Sequence, residues 1–326
     1  MEEATVRNMR GGIMWSGDRS SAVRDVLGAT VMGATLIAVV GMAGCGAATS
    51  SEKRDAVRPE ERLRELTAAE EVLVEKAEQL LVEECMEKAG FRFWVTEVES
   101  VESRKGSVFV LDDVDWAKEH GYGGRFRRDA EEARRNGPNG TYANSLTQEE
   151  RARYRAVLDG TPSSGMLSVA LPGGGTVRTP RDSCHARAKG RLYGDFKTWF
   201  RVEKIATNLT PLYVPALTAD KRFTKALAAW SRCMDGRGRN YSDPFEIRAE
   251  LDLLTDGLSG AAAHAVEVGL AVDEAECAEE SSLADTARAL ENEYRAQKTR
   301  RYGEEIAAFQ RMRLTALDRA EDVVGA

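Results

Sequence analysis

The sequence predicts a mainly α-helical, α+β domain: a helical body with one or two small β-hairpins and two disulfides. Three observations carry that expectation. Beyond residue 60, apolar residues recur at helical spacing, with capping residues where the stripes begin and glycines where they stop. The pattern Cys-Met-x3-Gly-x2-aromatic occurs twice, at Cys85-Met86, Gly90, Phe93 and at Cys233-Met234, Gly238, Tyr241. Each copy ends an apolar stripe, Val74, Ala77, Leu81, Cys85 in one and Phe223, Leu227, Trp230, Cys233 in the other. Beyond Cys45 four cysteines remain, an even number.

Residues 1–45 read as a lipoprotein signal. Arg7, Arg10, Arg19 and Arg24 precede an uncharged run, Val26 to Gly44, that ends in Met42-Ala43-Gly44-Cys45. That ending resembles a bacterial lipobox, with Met42 where leucine is usual. The resemblance implies a diacylglyceryl group on the Cys45 thiol and a mature chain beginning there. An uncleaved membrane helix is the alternative, because 19 uncharged residues just span a bilayer. Residues 46–59, small and charged, read as a flexible tether. The mature part then divides into a helix/hairpin half, 60–217, and an all-helical half, 218–326.

Within the first half, a helix is predicted from about Glu60 to Ala89, stopped at Gly90. Phe91 to Val95 and Ser107 to Leu111 have strand composition and flank a turn, which predicts a hairpin. Asp112-Asp113-Val114-Asp115 lacks the calcium-loop spacing, so its carboxylates are expected to cap a short helix, Val114 to His120. The stretch from His120 to Ser145 reads as loop around a short polar helix. Thr147-Gln148-Glu149-Glu150 is a capping box for a helix ending at Gly160. A second hairpin, Met166–Leu171 and Thr176–Thr179, turns at Pro172 to Gly175. Asp182 is expected to cap a helix running to about Ala206, and Pro211 and Pro215 to hold Thr210–Leu217 extended.

The second half opens with a helix capped by Thr218 or Asp220. Asp243-Pro244 starts the next, stopped by Gly257, and another runs from Ser259 to about Ala278. The last is expected from about Leu283 towards Asp322, with Gly303 marking a bend.

Four cysteines in an exported chain favour disulfides and allow three connectivities. Each Cys-Met helix is followed by one further cysteine, preceded by acid, so the repeat favours Cys85–Cys184 and Cys233–Cys277. Loops of that size are worth about 4–5 kcal/mol each by chain entropy. No Cys-x2-Cys pair is present and His120, His185 and His264 are scattered, so neither a structural zinc nor any cofactor is expected.

The net charge is −7, and residues 1–44 hold four basic and four acidic side chains, so the mature part keeps it. An acidic domain lacks the basic footprint that nucleic acid requires. Its many carboxylates read as a solvated face, and no Gly-x-Ser-x-Gly elbow is present. The Cys-Met-x3-Gly-aromatic helix ends, their later partner cysteines, and the strings Arg191-Leu192-Tyr193-Gly194-Asp195 and Leu283-Ala284-Asp285-Thr286-Ala287 resemble a family of Streptomyces-type actinobacterial secreted lipoproteins. The resemblance covers most of residues 60–320 and implies no catalytic residue. The expected partner is the membrane, through lipid on Cys45, with wall glycan or an envelope protein as ligand. Trp94, Tyr193 and Trp199 are the candidate binding surface, since aromatic faces stack on sugar rings; the same spacing also fits a buried core around a disulfide. A non-catalytic binding module is the leading expectation, ahead of a carboxylate-dependent wall hydrolase and a passive structural protein.

Overall fold

The computed structural model describes residues 63–96, 100–104 and 109–325. Cys45 and the stretches expected to be signal and tether lie outside these residues. The first helix, α1 (Ala68–Lys88), starts at Thr67, whose hydroxyl accepts from the Glu70 N–H while the Glu70 carboxylate accepts from the Thr67 N–H at 2.7 Å. Arg64 pairs with the same carboxylate, and together these hold Glu70 down at about 2. The predicted start at Glu60 thus gives way to a capping box that begins seven residues later, at Thr67, among the described residues.

The two sequence repeats end their helices in the same way. At the end of α1, Gly90 takes φ +83°, and the N–H groups of Phe91 and Gly90 donate to the carbonyls of Met86 (3.0 Å) and Glu87 (2.9 Å). At the end of α10 (Lys221–Gly236), Gly238 takes φ +75°, and Arg239 and Gly238 donate to Met234 and Asp235, each at 2.9 Å. Both are Schellman closures, which need a left-handed residue and hence glycine. The methionine of each pair is fully buried, and the cysteine before it forms a disulfide. Cys85 bonds Cys184 at the start of α7 (Cys184–Tyr193), and Cys233 bonds Cys277 in α12 (Gly260–Ser281), with Cα atoms 5.6 Å apart in each.

Between α1 and α7 lie α2 (Val101–Arg104), α3 (Val114–His120), α4 (Gly124–Asn136), α5 (Pro138–Ser145) and α6 (Gln148–Asp159), then strands β1 (Met166–Ala170) and β2 (Thr176–Pro180). The strands form one antiparallel hairpin, Met166 opposite Pro180 and Ala170 opposite Thr176. Asp113 caps α3, and the capping box at Thr147 and Glu150 starts α6, as the sequence predicts. The other expected hairpin does not form: Phe91–Val95 is irregular, and Val101–Arg104 is a helical turn. Residues 97–99 and 105–108, which include part of that expectation, lie outside the described set. The 120–145 segment is more helical than its glycines suggest. Pro138 occupies the first turn of α5, where a missing N–H costs nothing. At the start of α4, the Gly124 N–H donates to the Glu267 carboxylate (3.1 Å), which also pairs with Arg128. A Cβ at Gly124 would run into that carboxylate. The signal for α4 therefore sits more than 140 residues away.

After α7 the chain breaks where one helix was expected. Ser183, not Asp182, caps α7; Gly194 (φ +99°) ends it, and Asp195 caps α8 (Phe196–Ala206) by accepting from Thr198 N–H (2.8 Å) and hydroxyl (2.6 Å). Thr210–Leu217 is helical rather than extended, a 3-10 turn leading into α9 (Val214–Thr218), because both prolines fall in first turns. Asp220 caps α10, and Asp243 caps α11 (Pro244–Thr255). The long last helix is two: α13 (Leu283–Lys298) and α14 (Gly303–Gly325), parted by a 3-10 turn at Arg300–Tyr302. Buried Thr299 returns its hydroxyl to the Arg295 carbonyl at that break.

Packing does not follow the division at 217/218. One core gathers Trp230 and Met234 of α10, Ile247 of α11, Ala271 and Cys277 of α12 and Leu290 of α13, yet also Val110, Leu111, Trp116 and Tyr122. A second joins α1, Cys184 and Leu192 of α7 to Leu314, Leu317 and Ala320 of α14. A third lies under the hairpin, where Leu167 and Val169 meet Phe200 and Ile205 of α8. Nor are all carboxylates solvated. Glu274 is fully buried in α12, accepting from the Leu111 N–H (2.9 Å), the Tyr122 hydroxyl (2.8 Å) and both Arg248 terminal nitrogens (3.1 and 3.0 Å). Arg248 also lies over the Tyr122 ring at 4.9 Å. Burial and the Glu274 charge push the Tyr122 hydroxyl well above its ordinary pKa.

Candidate functional site

Tyr193 and Trp199 come together, because the break at Gly194 folds the end of α7 onto α8. Their rings stack with centroids 3.6 Å apart and planes 7° from parallel. On its other side Trp199 faces Phe309 of α14, centroids 5.3 Å apart at 19°. Trp199 is only 5% exposed, with a ring against each face. Burial raises the Tyr193 hydroxyl above its ordinary pKa, helped by nearby Glu78. Trp94 goes elsewhere. Asn139 of α5 clamps its main chain, accepting from the Trp94 N–H (2.9 Å) and donating to its carbonyl (2.7 Å), and its ring meets Tyr142 edge-on at 5.6 Å. The three candidates are thus one stacked pair in the helix core and one separate, half-buried ring.

Two open clefts border α1. The first, about 270 Å³, is lined by Glu75, Glu78, Gln79, Val82, Phe93, His185 and Lys189. Glu75 and Glu78 share a helix face. Glu78 is salt-bridged to Lys189 at 3.1 Å, and His185 lies 3.6 Å from Asp159. Partial burial holds His185 below the ordinary imidazole pKa. The second cleft, about 360 Å³, lies between Leu80, Leu81 and Glu84 of α1 and Arg191, Asp322 and Val323. Among the described residues no three His, Cys, Asp or Glu side chains form a cluster that could hold a metal ion. No described helix is long and apolar enough to cross a membrane.

A surface that the sequence reading passed over lies on α11. This helix turns Ile247 and Leu251 into the core. Its opposite side carries Phe245, Ala249 and Leu253, spaced four apart and all exposed, with Phe245 at 51% and Leu253 at 77%. Leu254 in the last turn, 39% exposed, and Leu258 just past the helix end, 44% exposed, add further apolar surface. The Phe245 ring rests on Phe109, 4.6 Å between centroids, which ties the stripe to the core. Glu246 and Glu250 follow one edge of the stripe, Asp252 the other, and Asp256 closes its C-terminal end. Arg248, the single basic residue from 244 to 258, turns inward to Glu274. The signal was present in the sequence. Leu251, Leu253, Leu254 and Leu258 are four leucines in eight residues, more than one buried face can use.

No protein-family model matches the chain, and no curated protein or solved structure is significantly similar to it.

Proposed function

We propose that the chain is a lipid-anchored, non-catalytic interaction module on the outer face of the cytoplasmic membrane, and that α11 binds an envelope protein. The observation that carries this is the apolar stripe Phe245, Ala249, Leu253 with Leu254 and Leu258 beyond it. Together the large side chains leave about two side chains' worth of apolar surface in water. Sealing it is worth roughly 3–6 kcal/mol before the costs of association. Exposed apolar surface rimmed by polar residues is the usual mark of a protein contact. Two disulfides favour an oxidising compartment, which agrees with a signal ending at Cys45. Wall glycan is the less favoured ligand, because a sugar stacking on Trp199 would have to displace Tyr193 or Phe309.

A photo-crosslinking amino acid placed at Leu253, in a host that processes the signal, tests the reading. A discrete heteromeric adduct is expected from this position and none from Glu149, exposed on α6. Absence of an adduct at Leu253, or the same adducts from both positions, refutes it.

A further inference from the structure

We infer that the partner meets α11 with a basic amphipathic helix. This deepens the interaction-module reading and rests on it. The stripe runs along the helix from Phe245 to Leu253, eight steps or about 12 Å at helical rise. It is a seam rather than a hole, so it fits another elongated apolar face laid alongside, not an inserted single side chain. Its surroundings set the charge of that face. Glu246, Glu250, Asp252 and Asp256 are all exposed around the seam, and Arg248 is withdrawn into the core by Glu274. The Ser242 N–H donates to Glu246 at 2.6 Å, which keeps this carboxylate ionised to lower pH than usual. A helix bearing leucine-like residues along one stripe and Lys or Arg on both sides would satisfy seam and rim together.

The same rim disfavours the competing occupants. A second copy docking stripe to stripe about a twofold would set four carboxylates against four. An anionic bilayer surface would meet the same repulsion.

The test uses the purified protein and a fluorescein-labelled 14-residue Leu–Lys amphipathic helix, with a Leu–Glu peptide of identical leucine positions as its pair. Anisotropy is expected to show Leu–Lys binding, with the Leu–Glu peptide weaker by at least about tenfold. Leu253→Ser should weaken Leu–Lys binding by about tenfold or more. Glu246→Gln with Glu250→Gln should weaken it and flatten its salt dependence, and circular dichroism checks that both variants stay folded. Equal binding of the two peptides, or Leu–Lys binding unchanged by Leu253→Ser, overturns the inference. So does light scattering that shows a dimer lost in Leu253→Ser, or Leu253-dependent flotation with phosphatidylglycerol vesicles. If Leu–Lys binding fails while position 253 still crosslinks to a discrete envelope protein, the basic helix is refuted and the module reading stands. If both fail, both fall.

Discussion

Replacing Glu274 by alanine should be the most damaging single change in the core around Trp230 and Met234 that leaves both disulfides intact. The carboxylate is fully buried and serves four donors on two segments, Leu111 and Tyr122 on one and both terminal nitrogens of Arg248 on α11. Removing it strands a guanidinium that is mostly out of water, a buried hydroxyl and a buried N–H. Breaking one partner out of a buried ion pair costs about 3–5 kcal/mol. A domain of this size loses about 2–4 °C of melting temperature per kcal/mol, so the expected drop is about 6–20 °C. Urea unfolding should show a lower midpoint with an unchanged slope. The triple change Glu274→Leu, Arg248→Met, Tyr122→Phe should recover most of the loss, since it removes the donors along with the acceptor and leaves only the Leu111 N–H unpaired. A Glu274→Ala protein within about 1 kcal/mol of the parent would refute the claim that this network ties α11, α12 and the 111–122 segment together.

Serine at Cys85 and Cys184 should cost about 4–5 kcal/mol, and serine at Cys233 and Cys277 about 4, from loops of 99 and 44 residues; equal, negligible shifts in urea midpoint would remove the disulfides from the list of stabilising features. Burial raises the Glu291 carboxyl above its ordinary pKa of 4.5, while the Tyr213 hydroxyl donates to it at 2.7 Å. The folded chain therefore holds this proton more tightly than the unfolded one, and the contribution favours the fold at low pH and is lost as pH rises through the raised value. Glu291→Gln should accordingly stabilise more at pH 7 than at pH 4, and urea melts giving the reverse order would contradict that sign. Trp199→Ala should cost about 3–5 kcal/mol by emptying the slot between Tyr193 and Phe309; a variant that keeps its stability but loses binding to purified wall material would restore the glycan reading. Intact mass of the membrane-fraction protein should begin at Cys45 plus a diacylglyceryl group, with no thiol alkylated before reduction; an unprocessed chain with free thiols would sink the lipoprotein proposal.

What the sequence revealed was mostly local. Asp113, Thr147, Asp220 and Asp243 cap helices with side chains two or three residues from the N–H they satisfy, so spacing alone exposes them. The cysteine pairing was legible because the repeat marks equivalent helix ends. The failures have the opposite character. The α4 start depends on Glu267, and the buried state of Glu274 depends on Arg248 and Tyr122, contacts that no local window contains. The hairpin expected after Gly90 fails because Asn139 and Gln79 take up the backbone N–H groups of Trp94 and Thr96 that a strand partner would have used. The aromatic candidates were chosen by residue type, and two of the three turned out to be packing on each other. The α11 surplus of leucine was visible, but which leucines stay outside was decided by where Ile247 and Leu251 dock.

The two disulfide loops, 85 to 184 and 233 to 277, follow one another without overlap, whereas the cores they sit in are interleaved. If Cys45 is taken by lipid as proposed, a chain threaded outward from its N-terminus presents each remaining cysteine with its native partner as the next one to emerge, so pairing in order of arrival yields the native set with no reshuffling. Burial cannot keep the same timetable. The first loop can be oxidised early, but its core waits for Leu314, Leu317 and Ala320 on α14, the last helix through. In that interval the Cys85–Cys184 bond holds α1 against α7 with their apolar faces still wet. The covalent clasp thus serves as a placeholder, keeping the seat open until the chain's final segment arrives to fill it.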